Sequence, residues 1–202
     1  MPSATENKQI KRKRILETAA ELFMQKSVNS TAIDDVVKAA GVAKGTFYLY
    51  FKDKYDLLDQ LLIQKSAGIL LEAFNSIQDF ESAEPEYIAV DIMNYIIDYL
   101  CANRELTALL QKKLSHCLRD IMKEDVSELK TAVDSLVYKL IKKGYTKEEA
   151  RKTLYIITDL TGSVCCDAIV LQKPYGIEEI RETLCQAVMK IIAKGGEKKK
   201  IT

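Results

Sequence analysis

The 202-residue chain has 48% hydrophobic and 29% charged residues, a composition that excludes a disordered or collagen-like protein. Residues 1–13 are polar and lack the apolar segment of a secretory signal, and no apolar run is expected to approach the ~20 residues that a membrane-spanning helix requires. The formal net charge is +1, but residues 1–55 hold ten Lys and Arg against six Asp and Glu. We therefore expect a cytoplasmic protein whose basic first quarter suits contact with a polyanion, with a solvated charged surface as the alternative explanation of the four excess positive charges.

Apolar residues recur three and four positions apart almost throughout, which predicts an all-α protein. A first helix is predicted from Gln9 to Lys26, and a second from Thr31 to Ala40 that opens with a capping box between Thr31 and Asp34. Gly41 then stands where a helix end favours a left-handed residue, and a third short helix is predicted from Lys44 to Tyr50. Two short helices joined by a glycine-containing turn form a helix-turn-helix.

The remaining chain is predicted to consist of longer helices. Asp53 and Asp56 form a second capping box at the start of a helix that links the basic region to the rest. Breaks are predicted at 82–85, near 101–103 and at Gly144, with a further box between Thr146 and Glu149. The last helices run from Lys147 to Leu171 and from Ile177 to Ala193. This pattern predicts domains over residues 1–53 and 54–194, followed by a frayed lysine-rich tail over 195–202.

The stretch from Gly41 to Leu58, GVAKGTFYLYFKDKYDLL, resembles the DNA-binding segment of the TetR family of transcriptional regulators. The resemblance covers roughly Ile10 to Leu62 and rests on the order and spacing of the Gly-Val turn, Gly45-Thr46-Phe47-Tyr48, Tyr50-Phe51 and Lys54. The sequence departs from the family at Ser27, where glycine is frequent, and at Ala43, where serine is frequent. The resemblance implies a three-helix DNA-binding domain followed by a helical domain for ligand binding and dimerisation.

Several residues of this stretch have the chemistry that DNA binding needs. Gly45 has no side chain and would permit close approach to a duplex, while Lys44 beside it could reach a base edge or a phosphate. Phe47 and Phe51, four residues apart, are interpreted as core. The operator-contacting positions that the resemblance implies are Lys44, Gly45, Thr46, Tyr48, Leu49, Tyr50 and Lys54, with Thr31 as a further phosphate contact.

An effector pocket is implied for the second domain, because the family's C-terminal domain usually holds one. The spread of tyrosines suggests an apolar or aromatic effector with a few hydrogen-bonding groups, although core packing explains most of these residues equally well. The residues that could line the pocket are Phe74, Tyr87, Met93, Tyr95, Tyr99, His116, Tyr138 and Tyr155.

A helix–helix contact surface is predicted from Asp159 to Val170, where small and apolar residues let two backbones approach, either inside the monomer or across a dimer. The resemblance favours the dimer, because this family pairs its last two long helices with those of a second copy in a four-helix bundle. The interface residues predicted on this basis are Gly162, Cys166, Ile169, Cys185, Val188 and Ile192.

Catalytic and metal-binding functions are disfavoured. His116 is the only histidine, which precludes a histidine-based metal cluster or a Ser-His-Asp constellation, and there is no phosphate-binding G-x-x-x-x-G-K-[ST] motif. We expect no enzyme, no metal and no cofactor. The five cysteines lack a C-x-x-C pair and are interpreted as reduced core thiols, with redox sensing by Cys165 and Cys166 as the alternative.

Together these features predict a TetR-type regulator, interpreted as a repressor, that binds palindromic double-stranded operator DNA as a homodimer. A small-molecule effector is expected to release it, and no membrane partner is expected. The alternatives are a helical-bundle small-molecule-binding protein or enzyme with no DNA role, and a DNA-binding protein without an effector.

Overall fold

The computed structural model describes residues 4–110 and 127–195, and these residues form helices joined by turns, without a strand. The predicted all-α class is therefore confirmed. Numbered in chain order over the described residues, the helices are α1 Ala4–Lys26, α2 Ile33–Ala39, α3 Lys44–Tyr48, α4 Lys54–Asn75, α5 Pro85–Ala102, α6 Arg104–Leu110, α7 Ser127–Lys142, α8 Lys147–Cys166 and α9 Ile177–Gly195.

The chain divides into two compact units, Met1–Gln64 and Lys65–Thr202. The division lies within α4, whereas the sequence placed a boundary before that helix, at residue 53. The first turns of α4 belong to the N-terminal unit because they bury apolar side chains there, including Leu57, Leu61 and Leu62. A helix start is thus a poorer marker of a domain boundary than the burial of its apolar face.

Most helix ends lie where the sequence predicts them. α1 ends at Lys26, and α8 and α9 begin at Lys147 and Ile177. The predicted end of the α8 region at Leu171 is reached through a short π-helical segment, Asp167–Leu171. The capping box between Thr146 and Glu149 is present in full.

The start of α2 differs from the prediction. Its N-cap is Ala32, and no side chain caps it. Thr31 is only 1% exposed, and its hydroxyl donates to the carbonyl oxygens of Ser27 at 2.7 Å and of Leu22 at 3.5 Å. The shorter bond goes to Ser27, the residue after the end of α1, and the longer one goes to Leu22 in the last turns of that helix. The predicted box between Thr31 and Asp34 is therefore wrong.

Gly41 makes the predicted turn between α2 and α3. Its φ of +63° is left-handed, a conformation that costs glycine nothing sterically. The Gly41 N–H donates to the Lys38 carbonyl at 3.2 Å, and the Val42 N–H donates to the Val37 carbonyl at 3.0 Å. These two bonds form a Schellman motif, which satisfies the end of α2 and redirects the chain into α3.

Asp53 caps α4 as predicted. Its carboxylate accepts the N–H groups of Tyr55 at 2.7 Å and Asp56 at 2.9 Å. The return bond differs from a standard capping box, because the Asp56 carboxylate accepts the N–H of Lys52 at 2.8 Å rather than that of Asp53. This bond is the largest cause of the lowered pKa of Asp56.

In the C-terminal unit, α5 and α8 both pack against α9. The Arg181 guanidinium of α9 donates to Asn94 at 2.9 Å and to Asp98 at 2.7 Å, both on α5. Near the start of α5, the Lys143 ammonium pairs with Glu86 at 2.5 Å. Charge-assisted bonds of this kind fix the relative register of neighbouring helices.

The helix from Lys147 to Leu171 is more apolar than the sequence analysis expected. An 18-residue window within it has a mean hydropathy of 1.6, so by length and composition alone it could cross a membrane. The expectation that no apolar run approaches the required length was wrong. However, α8 packs against α7 and α9 and opens with charged residues in its first turn, as core helices do. Only 39% of the window is buried inside the unit, which leaves apolar surface facing outward.

Ser27 provides a test of backbone strain in the N-terminal unit. Its φ is +70°, and a left-handed conformation costs a non-glycine residue roughly 1 kcal/mol. We expect Ser27→Gly to raise the free energy of unfolding by about 1 kcal/mol in urea denaturation, because glycine adopts this conformation without the steric penalty. Ser27→Ala keeps a β-carbon and is the control, for which no gain is expected. Equal stability of the two variants would contradict the assignment of strain to this position.

Candidate nucleic-acid interface

The five-residue helix α3 presents one side outward and one side inward. Tyr48 is 53% exposed and Leu49, at its C-cap, is 76% exposed, while Phe47 is fully buried. Lys44 and Gly45 are also exposed, one turn before Tyr48. Tyr48 and Leu49 are thus large side chains that stay exposed next to each other. Adjacent exposed side chains of this size can mark a binding surface.

Aromatic packing holds α3 in position. The rings of Phe47 and Phe51 are 5.5 Å apart, and both side chains are buried, as predicted. The Arg12 guanidinium lies 5.9 Å above the Phe51 ring and donates to Gln60 of α4 at 2.6 Å. Arg12 thus links α1 to α4 beside the phenylalanine pair, a role that the charge pattern of α1 did not reveal.

Gly45 is not required by the internal packing of the chain. A β-carbon built on it would meet no heavy atom of the described residues within 4 Å, and its φ is not in the left-handed range. The fold would therefore accept alanine, which has the higher helix propensity. Because nothing inside the described chain requires a glycine here, its lack of a side chain on an exposed helix face fits close approach by the backbone of another molecule.

Lys44 is paired within the chain. Its ammonium lies 2.7 Å from a carboxylate oxygen of Asp34 on α2, and both side chains are largely exposed. The hydrogen bond and charge of Asp34 raise the pKa of Lys44. Sequence reasoning missed Asp34, because its contact with a residue ten positions later depends on the turn between the two helices.

Two of the predicted site residues lie behind the exposed side of α3. Lys54 donates to the carbonyl oxygens of Asn29 at 2.9 Å and Thr31 at 3.2 Å, which fastens the segment before α2 to the start of α4. The buried hydroxyl of Thr31 is already bonded to the carbonyls of Ser27 and Leu22, which is at odds with the predicted phosphate contact. Thr46 and Tyr50 are half-buried. The residues that the fold exposes together are Lys44, Gly45, Tyr48 and Leu49.

The described part of the C-terminal unit has cavities between α4, α5 and α8, among them one of about 50 Å³ and another, beside α7, of about 90 Å³. Of the predicted pocket residues, Met93 lines the first, and Phe74 and Tyr155 line the second. Most of the lining is aliphatic and was not predicted. The predicted pocket was based mainly on tyrosines, and a phenol tends to keep its hydroxyl in water rather than line an apolar cavity.

The other predicted pocket residues line neither cavity. Tyr87 and Tyr138 are exposed, and Tyr99 is half-buried. The Tyr95 hydroxyl donates to Glu72 at 3.1 Å. Burial, followed by this hydrogen bond, raises the pKa of Tyr95. His116 lies outside the described residues.

The predicted dimer residues are mostly core of the C-terminal unit. Gly162, Cys166, Ile169, Val188 and Ile192 are buried within one copy, and Cys185 is half-buried with its thiol 3.8 Å from the Asn94 side-chain oxygen. The periodicity identified a buried face correctly, but helices of the same unit cover it. In one copy these residues therefore pack inside the unit, and their place at a dimer interface stays a prediction.

The thiols of Cys165 and Cys166 are buried. Burial raises the pKa of Cys165 to about 12 and that of Cys166 to about 11, so both stay protonated and weakly nucleophilic at neutral pH. This disfavours redox sensing. Cys101 and Cys185 are half-buried, and Cys117 lies outside the described residues. Over the described ranges, no group of three His, Cys, Asp or Glu side chains could hold a metal ion.

Comparison with known proteins relates the N-terminal unit to regulators. Residues 15–61 match the family of bacterial regulatory proteins called the tetR family. The HTH-type transcriptional regulator AcrR of Shigella flexneri is 46% identical over 50 residues, which are 25% of this chain and 23% of that protein. The chain spans about half or less of the length of the curated relatives it matches first. The predicted resemblance is confirmed on these residues.

Solved structures extend the fold match to most of the chain. The fatty acid degradation regulator FadR of Bacillus halodurans is 24% identical with a TM-score of 0.58, covering 89% of this chain and 94% of that one. FadR of Bacillus subtilis, solved in complex with stearoyl-CoA, is 20% identical with a TM-score of 0.57, covering 88% and 97%. At these identities the comparison shows a shared fold, a helix-turn-helix domain followed by a helical domain.

Gly45 permits a sharp test of the exposed side of α3. We expect Gly45→Ala to leave the fold intact and to weaken DNA binding at least tenfold, because the added methyl would stand between α3 and the duplex. Affinity is measured by fluorescence anisotropy on DNA that the wild-type chain selects from a random pool. Gly68→Ala on α4 is the matched control, since a β-carbon there also meets no heavy atom of the described residues within 4 Å. Equal affinity of the two variants would exclude close approach at Gly45.

Proposed function

We propose that this chain, which carries the N-terminal domain of a TetR family transcriptional regulator, is a cytosolic repressor that binds palindromic operator DNA as a homodimer and releases it when a small molecule occupies the C-terminal unit. The observation that carries the proposal is the outward side of α3. Its exposed group, Lys44, Gly45, Tyr48 and Leu49, lies within the segment that matches the family, and the internal packing of the chain does not require the glycine at position 45. We infer no enzymatic role.

In the proposed complex α3 enters the major groove. Gly45 brings the helix close to the duplex, Lys44 exchanges Asp34 for a base edge or phosphate, and Tyr48 and Leu49 meet the groove beside it. Thr46 and Tyr50 supply hydroxyls at the edge of the contact. Two of the hydrogen-bond donors of the Lys54 ammonium already bind carbonyl oxygens, so few remain for a phosphate. The main effect of Lys54 is therefore to hold the loop before α2.

The dimer is proposed to form on the outer face of α8 and α9. Ile156 is 52% exposed, and Leu160 and Val164 follow at helical spacing with partial exposure. On α9, the half-buried Ile180, Ala187 and Ile191 repeat in the same manner. A second copy would cover this surface and account for the high hydropathy of α8, giving a symmetric four-helix contact. Two α3 helices about one turn of DNA, ~34 Å, apart would then read the half-sites.

The effector is proposed to occupy the two cavities of the C-terminal unit. Their aliphatic lining fits an apolar molecule. α4 runs unbroken from Lys54 to Asn75 and contributes Leu70 to both cavities. Ligand and DNA would favour different positions of this helix, and each would weaken binding of the other by the same factor.

The test of the proposed function is retention of specific DNA. The purified chain is mixed with labelled DNA from upstream of its own gene, with unlabelled random DNA in excess, and complexes are separated by electrophoresis. We expect a discrete complex that contains two chains and persists over the competitor. Binding no tighter than to random DNA of equal length would favour the alternative, a helical small-molecule-binding protein with no DNA role.

The proposed dimer surface makes a separate prediction. Ile156→Arg should yield folded monomers, because a buried arginine without a partner would oppose association while the exposed position leaves the unit intact. Sedimentation velocity measures the mass and circular dichroism measures helix content. Tyr138→Arg changes an equally exposed apolar residue on α7 and is expected to remain dimeric. A dimeric Ile156→Arg chain would place the interface elsewhere.

A further inference from the structure

The two cavities adjoin each other. Both are lined by Leu70, Ala89, Ile92, Ile157 and Thr158, so a single elongated molecule could extend from one into the other. The first reaches toward Met93 and Leu100, and the second toward Phe74 and Leu129. Apart from a few hydroxyl groups, their described lining is apolar.

Two hydroxyl groups in the first cavity lack hydrogen-bond partners. Ser66 of α4 is 1% exposed and Thr161 of α8 is 4% exposed, and both line this cavity. Neither Oγ of Ser66 nor Oγ1 of Thr161 has a partner among the residues that the structure describes. A buried hydroxyl without a partner costs folding free energy, and native proteins contain few of them. Two on facing helices around one cavity indicate that their partner comes from outside the chain.

Two other helical hydroxyls of the same unit bond to a carbonyl of their own helix. Thr158, which also lines the cavities, donates to the Leu154 carbonyl at 2.8 Å. Ser135 of α7 donates to the Thr131 carbonyl at 2.9 Å in the same way. This bond to the carbonyl four residues earlier is generally available to serine and threonine in helices. Ser66 and Thr161 do not use it, so their hydroxyls remain available to the cavity.

We propose that the effector is an uncharged, largely apolar molecule that places a polar group, such as a ketone, ester, amide or alcohol, between Ser66 and Thr161. Its apolar body extends past Thr158 into the second cavity. No charged side chain belongs to the described lining of either cavity, and an ionised group buried there without a counter-charge would lose its hydration uncompensated. A hydroxyl both donates and accepts, so the pair can satisfy a carbonyl or an alcohol.

This inference rests on the proposed effector site and adds the chemistry of its ligand. The proposed chemistry excludes a simple hydrocarbon as the effector, because it would leave both hydroxyls unsatisfied. It also excludes a carboxylate anion, because its charge would be buried without a partner. Because Ser66 belongs to α4, the same bond would join the ligand to the helix that begins at Lys54 in the N-terminal unit.

The first arm of the experiment measures stability without ligand. Ser66→Ala and Thr161→Val remove the unsatisfied hydroxyls with little change of shape, so each is expected to raise the melting temperature by a few degrees. Thr158→Val is the matched control in the same cavity wall, and its loss of a satisfied hydroxyl should bring no such rise. If Ser66→Ala and Thr161→Val instead lower the melting temperature, the hydroxyls already have partners in the native protein and the proposal is overturned.

The second arm measures binding of four eight-carbon probes by calorimetry to the full chain. Acetophenone should bind at least tenfold more tightly than ethylbenzene, which lacks its oxygen, and 2-octanone more tightly than octanoate, which is charged. The Ser66→Ala and Thr161→Val variants should each lose about tenfold in affinity for the two ketones, as expected for one hydrogen bond. Their affinity for ethylbenzene should be unchanged.

Equal binding of acetophenone and ethylbenzene, a preference for octanoate, or no binding of any probe would overturn the inference. The electrophoretic assay keeps this result separate from the proposed function. A chain that retains specific DNA but fails to distinguish the probes would refute only the ligand chemistry. A chain that binds the ketones through Ser66 and Thr161 but retains no specific DNA would refute the regulator and leave the binding site standing.

Discussion

The exposed side of α3 depends on the burial of Phe47. A helix of five residues has almost no stability in water, because helix nucleation costs more than its few hydrogen bonds return. Its shape and direction must come from tertiary packing, which Phe47 supplies together with Phe51 and the Arg12 guanidinium above it. The same backbone that turns Phe47 inward turns Gly45 and Leu49 outward. The packing of the core therefore also sets the position of the proposed DNA-binding surface.

Lys54 extends this constraint to the segment before α2. Its ammonium ties two carbonyls of that segment to the first turn of α4, and the Thr31 hydroxyl ties the same segment to Ser27, the residue after α1. The helix-turn-helix is therefore held in place by hydrogen bonds within the chain. A basic residue in a DNA-binding segment can thus serve chiefly to shape the surface that others present.

The sequence predicts the helices and the core well, because both follow from periodicity and from local signals such as Gly41 and Asp53. It fails where two outcomes share one pattern. Thr31 matched a capping box, but the carbonyls of Ser27 and Leu22 compete for its hydroxyl. Val188 lies on a strongly apolar face, yet periodicity cannot tell a neighbouring helix from a second copy. The sequence gives no indication of the roles of Ser66 and Thr161, because only the structure shows that their hydroxyls have no hydrogen-bond partner among the described residues.

The ion pair between Lys44 and Asp34 has a consequence for how the chain would tell one duplex from another. When Lys44 moves to DNA, the duplex sheds condensed cations, but the carboxylate left behind attracts some of them back, which flattens the salt dependence of that contact. Asp34 then also lies beside a polyanion and repels it. Every sequence meets this penalty, whereas only one with a well-placed acceptor for Lys44 offsets it. In the proposed complex Asp34 would thus compete with DNA for Lys44, weakening binding to unrelated sequences more than binding to a sequence with a well-placed acceptor.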